Sequence, residues 1–194
     1  MAYNSLEGVV AIGAGMLAGS IALVGFGADS LIELAASATA LWRLRHDRSP
    51  EHRERAERRA LRVIGVSFLA LACYVGVEAV ETLGSGAAPR RTWVGIVLSA
   101  GSLVIMPLLA RAKRAIALQL GSGALVAEAK QTLICTYLSA ILLLGLGLNQ
   151  WVGWWWADPV AGLAMVPLIG WEGIEGLRGR SACAESCGAV PGAA

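Results

Sequence analysis

Charge cuts this chain into blocks. Six apolar stretches of about twenty residues run at roughly 3–21, 24–42, 63–83, 92–110, 121–148 and 155–177, with charged or turn-forming residues between them. A helix of about twenty apolar residues is as long as the roughly 30 Å hydrocarbon core of a bilayer is thick. Inside lipid the backbone must satisfy its own hydrogen bonds, so each block must be a helix or part of a closed barrel. Strand-like alternation is weak here, which argues against the barrel. Charged residues make up 15% of the chain and hydrophobic ones 56%, whereas an ordinary soluble domain is about a quarter charged. The expectation is an all-α, polytopic membrane protein. A six-transmembrane-helix bundle would occupy 1–178 and a flexible cytoplasmic tail 179–194. The first block starts almost at Met1 without a basic stretch or cleavage site, so it reads as a span and not as a signal peptide.

The placement of positive charge gives an orientation. Eight arginines lie between Arg43 and Arg62, in "RLRHDRSPEHRERAERRALR". Arg111, Lys113 and Arg114 follow the fourth block, and Arg178 and Arg180 the sixth. These thirteen fall on one side of a six-span chain, and only Arg90 and Arg91 on the other. The positive-inside rule then puts both termini in the cytoplasm. On the far side, "NQWVGWWWAD" supplies a tryptophan belt at the headgroup level. The basic linker is expected to set topology and to touch anionic lipid. Its Arg/Glu interleaving suits a helix with i,i+3 and i,i+4 pairs. His46 and His52 in that linker are expected to be solvated, the alternative being a role in metal entry.

Against this apolar background the polar residues carry the chemistry. "GFGADSLIEL" places Asp29 and Glu33 four residues apart, on one helix face. A charge at mid-bilayer costs about 2.5–3.5 kcal/mol on insertion scales and usually faces the bundle interior. Two carboxylates this close both stay ionised only around a cation; otherwise one takes a proton. In the fifth block, "LVAEAKQTLICTYL" sets Glu128, Gln131 and Cys135 at helical spacing on one face. Carboxylate, amide oxygen and thiolate together can complete a four-ligand site for a borderline metal. Lys130 is a candidate charge partner for one of the carboxylates, and a buried Lys–Glu pair joining helices without any metal is the alternative. Of the four cysteines, Cys73 and Cys135 lie in apolar blocks, where a small hydrophobic role is the plain reading. Cys183 and Cys187 form a C-x3-C in the tail, a weak metal signal. Glycines 8, 13, 15, 19, 25 and 27 suit close helix packing in lipid.

At these residues the chain resembles the transmembrane part of the cation diffusion facilitators. Those proteins carry a D-x-x-x-D or H-x-x-x-D pair on the second helix and a similar pair on the fifth. "ADSLIELAASATALWRLR" is similar to the second helix, with Asp29 and Glu33 at the pair. "AEAKQTLICTYLSAILLLGLGL" is similar to the fifth, with Gln131 and Cys135 there. "ADPVAGLAMVPLIGWEGIEGL" resembles the sixth, which opens with an acid and proline and carries a late Glu. The resemblance spans nearly the whole chain and implies a homodimeric divalent-metal exporter driven by inward proton flow. The departures are Gln131 for a His or Asp and Cys135 for an Asp, which put zinc specificity in doubt and leave cadmium, cobalt or iron(II). In a shifted register Glu128 becomes the principal fifth-helix ligand. The family's cytoplasmic metal-sensing domain is not expected, since sixteen residues follow Arg178.

The combined expectation is a divalent heavy-metal transporter, metal against proton, in a bacterial inner membrane, with zinc as the first candidate substrate. Asp29, Glu33 and Cys135 would bind the metal and Glu128 or Gln131 complete the shell. Glu33 or Glu128 would exchange the proton. Rocking of one helix pair against the others would alternate access. No tightly bound cofactor and no nucleic-acid partner are expected. An enzyme is not expected either, for want of a nucleophile–base pair or a phosphate loop. The rival is a non-transporting accessory or metal-binding membrane protein whose buried polar residues only hold helices together.

Overall fold

The computed structural model describes the backbone at residues 2–46, 50–86, 89–119 and 123–178, and side chains there except at 40–61 and 123–127. Among the described residues six α-helices follow one another: α1 Ala2–Ala18, α2 Ile21–His46, α3 Pro50–Ser85, α4 Trp93–Gln119, α5 Gly123–Gly147 and α6 Ala157–Arg178. A π-helical turn, Leu148–Val152, extends α5. The described residues contain no strand. Among the described residues, five helices, α2 to α6, hold segments long and apolar enough to cross a membrane. α1, at 17 residues, is the shorter sixth.

Each apolar block of the sequence falls on one helix, and α2, α3 and α4 overrun their blocks, α4 by continuing to Gln119 past 110. α2 continues to His46, and α3 starts at Pro50, well before its block at 63. Proline at a first helical position costs no hydrogen bond, and the interleaved charges that follow are good helix formers. The side chains of His46 and His52, and the ion pairs expected in this stretch, lie outside the described residues. So do the tail 179–194 and its Cys183 and Cys187.

α2 lies at the centre, touching α1, α3, α5 and α6; the most extensive pairings are α3 with α6, α4 with α5 and α1 with α2. Small residues permit these approaches. A Cβ on Gly65 of α3 would lie 2.7 Å from the Gly173 carbonyl oxygen of α6, so the two backbones meet where glycine removes the side chain. Lipid offers little hydrophobic drive between helices, and such close backbone contact replaces it. Of the six glycines named from the sequence, Gly8, Gly15, Gly25 and Gly27 sit at helix contacts, whereas Gly13 faces open space. Gly19 does something else. Its φ of +67° makes the two-residue turn from α1 into α2, a conformation that glycine adopts without strain.

The core is built from Leu23, Phe26, Phe68, Met106, Leu138, Leu142, Met165 and Ile169. Large apolar side chains also cover the outside; Leu17 is 81% exposed and Val97 70%. An apolar exterior around polar interior groups is the arrangement that a bilayer selects. At one end, the Trp93 and Trp151 rings meet edge to face at 6.4 Å, and Trp154 stacks on Trp156 at 5.0 Å.

Candidate transport site

α2 and α5 run antiparallel and share a seam of polar side chains. Asp29, Glu33 and Ser37 recur every four residues on α2, and Cys135, Thr132 and Glu128 face them in reverse order. The Cys135 thiol donates to Asp29 Oδ2 at 3.0 Å. The Thr132 hydroxyl donates to Glu33 Oε1, and the Ser37 hydroxyl to Glu128 Oε1. The three contacts form a ladder with one rung per helical turn, because residues three or four apart stack along one face. Asp29, Glu33, Glu128, Thr132 and Cys135 are all buried.

A cation closes one end of this ladder. Lys113 reaches in from α4, with Nζ 3.2 Å from Glu33 Oε1, 3.4 Å from Glu128 Oε1 and 2.8 Å from Thr132 Oγ1. A cation between two carboxylates offsets their mutual repulsion, and the ammonium stands in that position. The second oxygen of Glu33, Oε2, is buried without a hydrogen-bond partner. The sequence offered Lys130 as a possible charge partner. Lys130 is exposed and makes no ion pair among the described residues. At about 100° per residue, position 130 points away from the seam that 128 and 132 face.

Gln131 shares that face of α5 with Glu128 and Cys135 but takes no rung of the ladder. Thr132, fully buried, takes the position between Glu128 and Cys135. Gln131 is half-buried, and its Nε2 is shut from solvent without a partner. The spacings 128–131–135 and 128–132–135 are both helical, so periodicity alone does not choose between them.

A carboxylate that the sequence reading passed over enters from α1. Glu7 is 1% exposed; its Oε2 accepts from Ser30 of α2 at 3.1 Å and its Oε1 from Tyr3 at 3.2 Å. Tyr3 also bonds Ser102 of α4 at 2.8 Å, tying α1 to α4. An acid inside the first apolar block was the available signal. Asp158 has another task. Its carboxylate accepts from Ser20 Oγ at 2.5 Å and from the Ile21 backbone N–H at 3.1 Å. It therefore caps the start of α2 from α6, in the manner of an N-cap supplied by another helix.

The seam brings together hard carboxylate oxygens, the two hydroxyls of Ser37 and Thr132, and a soft sulfur. In the conformation described, no three His, Cys, Asp or Glu side chains among the described residues are gathered as a metal cage. Asp29 is paired with a thiol, and Glu33 and Glu128 converge on an ammonium.

Comparison with curated proteins gave no match. A family model described as the cation efflux transmembrane domain matches residues 2–178. That match takes in α1 to α6 and with them the whole polar seam, and the chain belongs to the cation efflux family, whose members are cation transporters.

Proposed function

We propose that the chain carries a divalent heavy-metal cation out of the cytoplasm in exchange for protons. Asp29, Glu33 and Cys135 would be ligands and Glu128 or Gln131 would complete the shell. The observation that carries this reading is the α2–α5 ladder. Three carboxylates and a thiol of different helices face one another inside a bundle whose exterior is apolar. Buried acids of this kind are expensive and mark ion pathways. A thiolate beside carboxylates suits zinc, cadmium, cobalt or iron(II) better than magnesium or calcium. Glu33 or Glu128 would take the returning proton. All six helices would span a bacterial inner membrane with both termini in the cytoplasm, and two copies would associate, as the resemblance implies.

The test is flux. Purified protein in proteoliposomes with an acidic lumen should accumulate zinc or cadmium, and the lumen should alkalinise in proportion as protons leave in exchange. Dimerisation is checked by mass measurement in bilayer discs, where a monodisperse monomer would remove that part of the proposal. A second reading is favoured by the Lys113 ion pair. A carboxylate cluster already neutralised by an ammonium can hold helices together without carrying anything. Absence of metal flux, with the fold intact, would establish it.

A further inference from the structure

Lys113 points the wrong way for a lysine near a membrane surface. Such side chains ordinarily extend their ammonium outward to the headgroups. Here it turns inward, and its side chain is only 24% exposed. Its Nζ has three oxygen neighbours, Glu33 Oε1, Glu128 Oε1 and Thr132 Oγ1. Two of the three come from carboxylates that a divalent cation would need. Glu33 Oε2, buried and without a partner, marks coordinating capacity that the ammonium does not use. An ammonium donates along its own N–H directions and carries a single charge, whereas a divalent ion can draw on both oxygens of a carboxylate.

We propose that Lys113 is a tethered competitor for the substrate cation. Its ammonium occupies the Glu33–Glu128 end of the seam when the site is empty and is displaced when metal arrives. This rests on the transport reading above and adds to it a device in the chain itself. The empty carrier would keep its carboxylates neutralised by a cation that cannot leave. Metal binding would then cost the withdrawal of Lys113, which weakens affinity and eases release. A site free of its plug about one part in ten of the time binds about tenfold more weakly than an unplugged one.

The chain contains two lysines, Lys113 and Lys130, and Lys130 is exposed, so it serves as an internal control. Full-length protein in bilayer discs is treated with an amine-acylating reagent with and without cadmium, and both positions are read by mass spectrometry. Cadmium should raise acylation of Lys113 several-fold and leave Lys130 unchanged. Cadmium affinity should rise about tenfold in Lys113→Met, where the stem remains and the charge is gone, and stay near wild type in Lys113→Arg. Wild-type protein that binds no divalent cation would overturn both the transport reading and this inference. Binding that leaves Lys113 acylation unchanged or lowers it, or a Lys113→Met variant that binds no more tightly, overturns this inference alone. If Lys113→Met fails to fold, the acylation of wild type decides.

Discussion

The thiol of Cys135 on α5 donates a hydrogen bond to Asp29 Oδ2 on α2 across 3.0 Å, although 106 residues separate them in the chain. This pair joins a soft donor to a hard one, and its two halves predict different failures. Cys135→Ser keeps the hydrogen bond and removes the sulfur. Cadmium affinity should therefore fall at least tenfold while manganese affinity changes about twofold or less, because softness is what a thiolate selects. Calorimetric titration with the two ions checks this. Equal losses for both would remove Cys135 from the ligand set.

Asp29→Asn removes a charge at nearly constant size. Metal affinity should drop, and fewer protons should be released per metal bound. Carboxylate and thiol ligands must lose their protons before they coordinate, so wild-type affinity should also weaken as pH falls. Titrations in buffers of different ionisation enthalpy count the protons. Wild-type affinity that is flat with pH, together with an unaltered Asp29→Asn, would make the two acids structural.

The α3–α6 crossing predicts a stability contrast between two glycines. In Gly65→Ala the added methyl meets the Gly173 carbonyl oxygen at 2.7 Å. Overpacking of this kind costs about 1–3 kcal/mol. Gly13 faces open space, so Gly13→Ala should be neutral or stabilise by up to about 1 kcal/mol through helix propensity. Thermal melting in detergent measures both.

Asp158 is expected to act on stability before transport. Asp158→Ala removes the acceptor for the Ile21 N–H and for Ser20 Oγ, and loss of a cap costs about 0.5–2 kcal/mol. Asp158→Asn retains one oxygen and should recover part of it. A variant that melts like wild type would contradict the capping role.

Topology gives the last prediction. Single cysteines at Arg53→Cys and Arg114→Cys should be labelled by an impermeant thiol reagent only from the cytoplasm, and Val152→Cys only from outside. The positive-inside count and the tryptophan belt require this. Labelling of positions 53 and 152 from the same side would refute the six-span arrangement.

The helical class, the approximate positions of the helices and the sharing of one α2 face by Asp29 and Glu33 were legible in the sequence. These properties belong to single helices. About twenty apolar residues must be helical in lipid, and a 3.6-residue period puts i and i+4 on one face. The partners across the seam were not legible. Periodicity allowed Gln131 and Thr132 equally, and packing of α5 on α2 selected Thr132. Composition marked Lys113 only as a topology charge, yet the approach of α4 carries it 80 residues back in sequence to Glu33. Glu7 and Asp158 were readable as acids in apolar blocks, but not as a neighbour of the α2 acids and a cap on α2. The period of a helix states which residues share a face. Which neighbour that face meets, and at what height along the axis, depends on glycine contacts such as Gly65 with Gly173 and on turns such as the one at Gly19. Those relations exist only once distant segments have packed, so the tertiary structure alone decided them.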